Sequence, residues 1–391
     1  MKKKLFSAMA ATALFAGVLA GCNTEGGSGS GSSGDKILIG ANLELSGNVA
    51  SYGTSIHDGV KLAIEEINAN GGVDGKKLEL KPFDNKSDAS EATNGALKLT
   101  DQDNVLAIIG AATSGNTVAQ VEVANGSETI LISPSGTALN VTVNDKGKLN
   151  PYAFRTTFID PFQGTVAANF AIEKLGIKKA AVYQDNASDY AKGLADAFIE
   201  TFKAAGGEIV AEEAYVAKDT DFRSTLTRLK SANPEFIFIP GYYEEVGLIV
   251  KQAREMGIDV PLMGGDGWDS PTLVDLAGAD ALNNTYTTNA YSANDPDEII
   301  QKFVKSFNDK YGKSPDGFNA LGYDTVYLLA DAIKRAGDVD AAKVKEALEA
   351  TKDLKLVTGS VTIDENHNPI KSATILEYKD GKQEFNSKVN P

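Results

Sequence analysis

The residues able to do chemistry in this chain gather just after short apolar runs. Val105-Leu106-Ala107-Ile108-Ile109 runs into Gly110-Ala111-Ala112-Thr113-Ser114-Gly115, and Ile130-Leu131-Ile132 into Ser133-Pro134-Ser135-Gly136-Thr137. The Ser114 and Thr137 hydroxyls suit a carboxylate, together with the free N–H groups and positive dipole end of a helix opening near Ser114. Each also suits the N-cap of its following helix. Further on, Phe236-Ile237-Phe238-Ile239 ends in Pro240-Gly241-Tyr242-Tyr243, and Pro261-Leu262-Met263 in Gly264-Gly265-Asp266-Gly267-Trp268. Asp266, between glycines and with no Lys or Arg nearby in sequence, either receives an ammonium group or caps the segment beginning at Ser270. Tyr242 is placed to lay its ring over a ligand or to pack. Trp268, the only tryptophan, walls a pocket or covers a sheet.

The same inventory argues against catalysis. No G-x-S-x-G elbow, Walker A loop, H-E-x-x-H or G-x-G-x-x-G follows a strand. The histidines, His57 and His367, stand far apart, and one Cys excludes a disulfide framework or a Cys-based zinc site. Asp364-Glu365-Asn366-His367-Asn368 opens like an EF-hand loop. Pro369 then replaces its required Gly, and Ile375 its bidentate Glu. A tight turn is expected there, with His367 exposed to solvent, and His57 is expected at a surface or boundary. Against 53 Asp+Glu stand 38 Lys+Arg, a net charge of −15 with no basic run, which excludes nucleic acid as a partner. No metal or cofactor is expected.

These residues need elements to hold them. Strands are expected at Lys36–Gly40, Leu78–Lys81, Val105–Gly110, Ile130–Ser133, Ala180–Tyr183, Phe236–Pro240 and Val260–Gly264. Between them run helical stripes such as Ile56, Val60, Ile64 and Ile67, which stops at Gly71-Gly72. Apolar strands joined by crossover helices form parallel sheets covered on both faces. A chain of 391 residues carries too many such units for one comfortable sheet, so two doubly wound α/β lobes are expected. The first half runs to about Thr157, with a new helix at Pro161. Ligands in such sheets bind beyond the carboxyl ends of strands, where the connections diverge.

Met1 to Lys4 is positive and Leu5 to Ala20 apolar, too short for a stable span and read as a secretory leader over residues 1–21. Leu19-Ala20-Gly21-Cys22 resembles a bacterial lipobox, which implies cleavage before Cys22 and acylation of its thiol. Residues 22–35 form a Gly/Ser-rich tether with a reach of about 15–20 Å. Losing Lys2, Lys3 and Lys4 with the leader would leave the chain still more acidic.

Ser46-Gly47-Asn48-Val49-Ala50-Ser51-Tyr52-Gly53, then Gly59-Val60-Lys61-Leu62-Ala63 and Ile67-Asn68-Ala69-Asn70-Gly71-Gly72-Val73-Asp74-Gly75, resemble the opening of leucine/isoleucine/valine-binding proteins. Phe154-Arg155-Thr156-Thr157, Tyr190-Ala191-Lys192-Gly193-Leu194, Gly241-Tyr242 and Gly264-Gly265-Asp266-Gly267 follow in the family order, so the resemblance covers residues 36–391 nearly end to end. It implies the type I periplasmic-binding-protein fold, two doubly wound parallel-sheet lobes joined by three hinge strands. The lobes would be 36–157 plus 289–364 and 158–288 plus 365–391, with hinges near Thr157–Asp160, Thr288–Ala290 and Asp364–Asn368. It also implies a monomeric extracytoplasmic receptor, lipid-anchored as in Gram-positive bacteria, that hands branched-chain amino acids to an ABC permease.

By the same resemblance, Ala112-Thr113-Ser114 and Ser135-Gly136-Thr137 are the two strand ends that hold the ligand carboxylate, with Ser114 and Thr137 donating hydroxyls and the Ser135 backbone meeting either the ammonium or the carboxylate. Tyr190 and Tyr242 close over the amino acid, and Tyr52 and Phe318 line its side-chain pocket. Asp266 stands where the family usually carries Glu against the α-ammonium, one methylene shorter. Trp268 is bulkier than that position suggests. Three other readings remain: the same receptor for another small amino acid, amide or urea-like solute; a sensory subunit that would need a signalling partner; and a hydrolase using Asp266 as base, which lacks an evident nucleophile and an oriented His.

Overall fold

The structure, a computed structural model, describes residues 36–390; the expected leader, the tether and Cys22 lie outside the described residues. The first elements are β1 (Lys36–Leu43), α1 (Ala50–Ala69), β2 (Lys77–Asp84), α2 (Ala89–Asp101), β3 (Ala107–Gly110), α3 (Ser114–Gly126), β4 (Ile130–Ser133) and β5 (Ala153–Arg155). The strands make one parallel sheet in the order β2-β1-β3-β4-β5. Every residue of β3 and β4 is buried, as continuous apolar runs between two helical layers require. β1 pairs with β2 on one side and β3 on the other, so the sheet's switch point lies between β1 and β3.

The chain then builds α4 (Asp160–Asn169), β6 (Lys179–Asp185), α5 (Asp189–Ala204), β7 (Glu208–Tyr215), α6 (Arg223–Ser231), β8 (Phe236–Phe238), α7 (Tyr243–Glu255), β9 (Leu262–Gly264), α8 (Pro271–Ala277) and β10 (Thr285–Asn289). It returns to the first sheet's helical layer with α9 (Glu298–Tyr311), α10 (Gly317–Ala336) and α11 (Ala341–Glu349), the second of which packs along α1. A small antiparallel sheet follows, β11 (Leu354–Leu356), β12 (Gly359–Ile363) and β13 (Pro369–Ile370), and then the hairpin β14 (Ala373–Lys379) and β15 (Lys382–Val389). The second large sheet has the order β15-β14-β10-β9-β8-β6-β7, with its switch point between β6 and β8. It is not wholly parallel, because β14 joins β10 antiparallel and β15 joins β14 antiparallel.

The chain thus passes between the two sheet systems three times. The first two passages follow β5 and β10. The segment Asp364–Asn368, expected as the third hinge, instead closes the β12–β13 hairpin: Asp364 Oδ1 accepts from the Asn366 and Asn368 N–H groups at 2.9 and 2.8 Å. The third passage comes at Lys371-Ser372, where the buried Lys371 ammonium donates to the Thr156 carbonyl of the first at 3.0 Å.

His367 corrects the sequence reading. The turn is tight as expected, but the histidine is 2 % exposed. Its ring stacks on Phe154 with centroids 4.0 Å apart, Nδ1 lies 3.0 Å from the Ala153 carbonyl and Nε2 3.1 Å from Glu349. A positive φ of 60° turns the side chain inward, a conformation the residue pattern did not reveal. His57 is half-buried, at a boundary as expected.

Candidate functional site

Both switch points open onto one narrow cavity with about 230 Å³ of empty space between its walls. Its wall is Tyr52, Ala112, Thr113, Ser114, Ser135, Tyr190, Tyr242, Asp266, Gly267 and Phe318. Nine of the eleven ligand residues expected from sequence therefore meet here; Gly136 and Thr137 stand behind the wall, and Gly267 joins it.

The polar rim comes from the first sheet. Ser114 opens α3, yet its hydroxyl caps nothing in that helix. It accepts from the Thr137 and Ala138 N–H groups, both at 3.1 Å, leaving its own O–H to donate elsewhere. Ser135 Oγ donates to the Ala112 carbonyl at 2.7 Å. The two strand ends are so tied into one rim. Arg155 completes the tie from behind: Nη1 donates to the Gly136 carbonyl at 2.7 Å and Nη2 to the Ala138 carbonyl at 2.8 Å. Burial pushes that guanidinium down to about 10, partly offset by Asp160 and Asp364.

With the loop held this way, the Thr137 side chain is fully buried and turned toward Asp160, so it neither reaches the cavity nor caps a helix.

The aromatic walls come in two stacks. Tyr52 lies on Phe318 at 4.4 Å, and Tyr190 lies parallel to Tyr242 at 5.1 Å. Tyr52 meets Tyr242 edge-on at 5.8 Å and links the stacks. The Tyr52 hydroxyl donates to the Gly267 carbonyl and accepts from the Tyr243 N–H at 3.1 Å, and the Tyr190 hydroxyl accepts from the Gly267 N–H at 2.8 Å.

Asp266 is the acid of the wall, 6 % exposed. Its Oδ1 accepts from Gln163 Nε2 at 3.0 Å, and Gln163 Oε1 accepts from the Asp266 N–H and from Thr288 Oγ1. Burial pushes this carboxyl up to about 6, while hydrogen bonds from Gln163 and Tyr190 hold it lower than burial alone would. It caps nothing: Ser270 caps α8, its hydroxyl accepting from the Thr272 N–H at 3.1 Å.

Trp268 does not wall the cavity. It is fully buried beneath the second sheet's loops, its Nε1 donating to the Ile239 carbonyl at 2.9 Å, so its bulk sits in the core and does not crowd a ligand.

Sequence reasoning missed Glu44, fully buried at the end of β1 with both oxygens taken by the loop after β3, and Gln163, which holds Asp266. The strand-end rule applied to β1 points to Glu44, the first acid beyond Leu43; Gln163, on a helix, carries no comparable signal. Among the described residues, no three His, Cys, Asp or Glu side chains gather as metal ligands.

A cavity between two doubly wound sheets, with hydroxyls on one side and an acid on the other, has the polar groups to meet both an anionic and a cationic end of a small solute. Residues 36–383 match the family model for periplasmic binding proteins. The chain belongs to the periplasmic binding protein family. The family expected from the sequence is thus the one found. One relative, the leucine-, isoleucine-, valine-, threonine- and alanine-binding protein of Pseudomonas aeruginosa, is 32% identical over 85% of this chain and 86% of its own. Among solved structures, the branched-chain amino acid transporter substrate-binding protein LivJ of Streptococcus pneumoniae, in complex with isoleucine, is similar with a TM-score of 0.85. It is 43% identical, over 91% of this chain and 100% of that one. A solute-binding protein of an ABC transporter from R. palustris, in complex with benzoate, has a TM-score of 0.81 and 26% identity, over 91% and 97%.

Proposed function

We propose that this periplasmic binding protein captures branched-chain amino acids between two lobes and presents them to an ABC permease. The observation that carries the reading is a cavity shared by both switch points, with the Ser114 hydroxyl on one side and the buried Asp266 carboxylate on the other. A zwitterion satisfies both ends: its carboxylate meets Ser114 and the Ser135 rim, its ammonium meets Asp266, and its aliphatic side chain lies among Tyr52, Phe318, Tyr190 and Tyr242. The names and ligands of the relatives point the same way.

In this reading the lobes are 36–157 with 289–370 and 158–288 with 371–390, the third boundary moved to the passage at Lys371. The receptor is monomeric and extracytoplasmic, and acylated Cys22 anchors it to the membrane. It binds without turnover: among the described residues, neither His57 nor His367 lines the cavity to activate a nucleophile there. A second ligand set, smaller amino acids, is favoured by the Pseudomonas relative whose name includes threonine and alanine.

The test is thermal unfolding of ligand-stripped protein against the twenty amino acids, a few amides and benzoate. Ligand at 100 times its Kd adds about 2.7 kcal/mol to the native state, a rise of a few degrees. A rise with leucine, isoleucine or valine is expected. A rise only with alanine, threonine, an amide or benzoate would move the ligand, and no rise with any of them would overturn the reading.

A further inference from the structure

Glu44 sits at the carboxyl end of β1, beside the loop that enters α3, and is fully buried. Its Oε2 accepts from the Ala112 N–H at 2.9 Å. Its Oε1 accepts from the Thr113 N–H at 3.0 Å, Thr113 Oγ1 at 2.8 Å and Asn116 Nδ2 at 2.9 Å. Four donors and no acceptor converge on two oxygens, the surroundings of a carboxylate anion. The Ala112 and Thr113 amides just ahead of α3 are therefore already engaged by an anion of the protein itself.

Glu44 does not stand in the cavity wall, but Ala112 and Thr113, which its carboxylate holds, do. With Asp266 in the wall and Glu44 behind the rim, two carboxylates flank the site, and Arg155 is turned onto carbonyls of the rim. A carboxylate arriving alone meets a helix terminus whose positive end is already offset. A zwitterion brings its own cation to Asp266.

We propose that Glu44 is a specificity-determining residue, its carboxylate held on the Ala112 and Thr113 amides ahead of α3 and so setting a negative charge beside that terminus against carboxylates that bring no ammonium group. This rests on the amino-acid reading above and deepens it, since benzoate, the ligand of one related structure, is such an anion.

Calorimetric titration of the purified full chain with leucine, its oxo acid 4-methyl-2-oxopentanoate and leucinamide tests the proposal. Wild type should bind leucinamide, which keeps the ammonium, more tightly than the oxo acid, which keeps the carboxylate. Glu44→Gln should narrow the preference for leucine over the oxo acid by about tenfold or more, whereas Glu44→Asp, which keeps the charge, should hold it within about threefold. A parallel loss of both ligands in Glu44→Gln would reduce Glu44 to a structural brace and overturn the proposal. So would tighter binding of the oxo acid than of leucinamide by wild type, a comparison that stands even if Glu44→Gln fails to fold. Failure of wild type to bind any branched-chain amino acid would instead bring down the functional reading itself.

Discussion

At the scale of single residues, Asp266 sets what the site does with pH. Its carboxyl, held at about 6 by burial, ionises only above that value while the cleft is empty. A ligand ammonium placed there, as the proposed function has it, would stabilise the anion and make the group's pKa lower in the complex than in the free protein. The affinity it contributes is present above about pH 6 and lost as pH falls through it, approaching tenfold per pH unit at the limit of one proton. Titration of leucine affinity between pH 7.5 and 4.5 checks this (about one ligand-linked proton), and a flat profile would remove Asp266 from the ammonium.

The same burial has a cost in the free protein. Because the native carboxyl titrates above its usual 3.8, stability falls as pH rises from about 4 to 6, by roughly 3 kcal/mol at most. Asp266→Asn should therefore raise the melting temperature of ligand-free protein at pH 7 by a few degrees while abolishing the shift with leucine. Asp266 was legible in sequence because glycines isolate it at a strand end. Arg155 was not, since its partners are backbone carbonyls that no residue pattern announces.

At the scale of elements, the wall formed by Tyr52 and Phe318 depends on how closely α1 and α10 approach. A Cβ on Gly59 would lie 2.0 Å from the Asn319 carbonyl oxygen, and one on Gly322 would lie 2.4 Å from that of Ile56. Backbone cannot yield as a flexible side chain would, so Gly59→Ala or Gly322→Ala must push the helices apart. Each should cost about 2–3 kcal/mol and also weaken leucine binding, because Tyr52 and Phe318 ride on the two helices. Chemical denaturation and titration of both variants would show the coupled losses; full affinity in a destabilised Gly59→Ala would uncouple wall from helix pair.

His367 ties β5, α11 and the β12–β13 turn together. Burial lowers its pKa, so it must be charged to unfold in acid, and the stability it contributes is present at neutral pH and lost as pH falls below its ordinary 6.5. His367→Ala should cost about 2 kcal/mol at pH 7.5 and flatten the stability profile between pH 7 and 5 (about one linked proton).

The elements that sequence made legible were those with continuous apolar runs, such as β4 at Ile130–Ser133, found residue for residue. Missed were β7, a half-exposed edge strand, and β10, whose buried threonines carry no apolar signature. The C-terminal hairpin hid in the same way, its outer strand β15 being mostly polar and exposed.

At the scale of the whole molecule, the sheet systems are bridged by contacts outside the cavity. Tyr243, at the start of α7, donates its hydroxyl to the Asn48 carbonyl at 2.8 Å and accepts from the Ser51 N–H at 3.4 Å, while Ser51 Oγ and Ser270 Oγ lie 2.7 Å apart. On another side Asn140 Nδ2 donates to Asp189 at 2.8 Å, an exposed contact worth little in water. None of these residues lines the cavity. If the lobes open and shut as the proposed function requires, these hydrogen bonds would be made only in the shut form and would set how much of the ligand's binding free energy goes into closing it.

Tyr243→Phe keeps the ring's packing and removes both hydroxyl contacts, about 1 kcal/mol each at most. The shut population of free protein should fall, and leucine affinity with it, by roughly fivefold to thirtyfold. Association should be nearly unchanged and dissociation faster, since the bonds act after the ligand has entered. Small-angle scattering should show the free variant more extended than free wild type and the two leucine complexes alike. Were the affinity to fall with no change in the free protein's dimensions, Tyr243 would act on the cavity through Tyr52, whose hydroxyl accepts from the Tyr243 N–H, and not on closure.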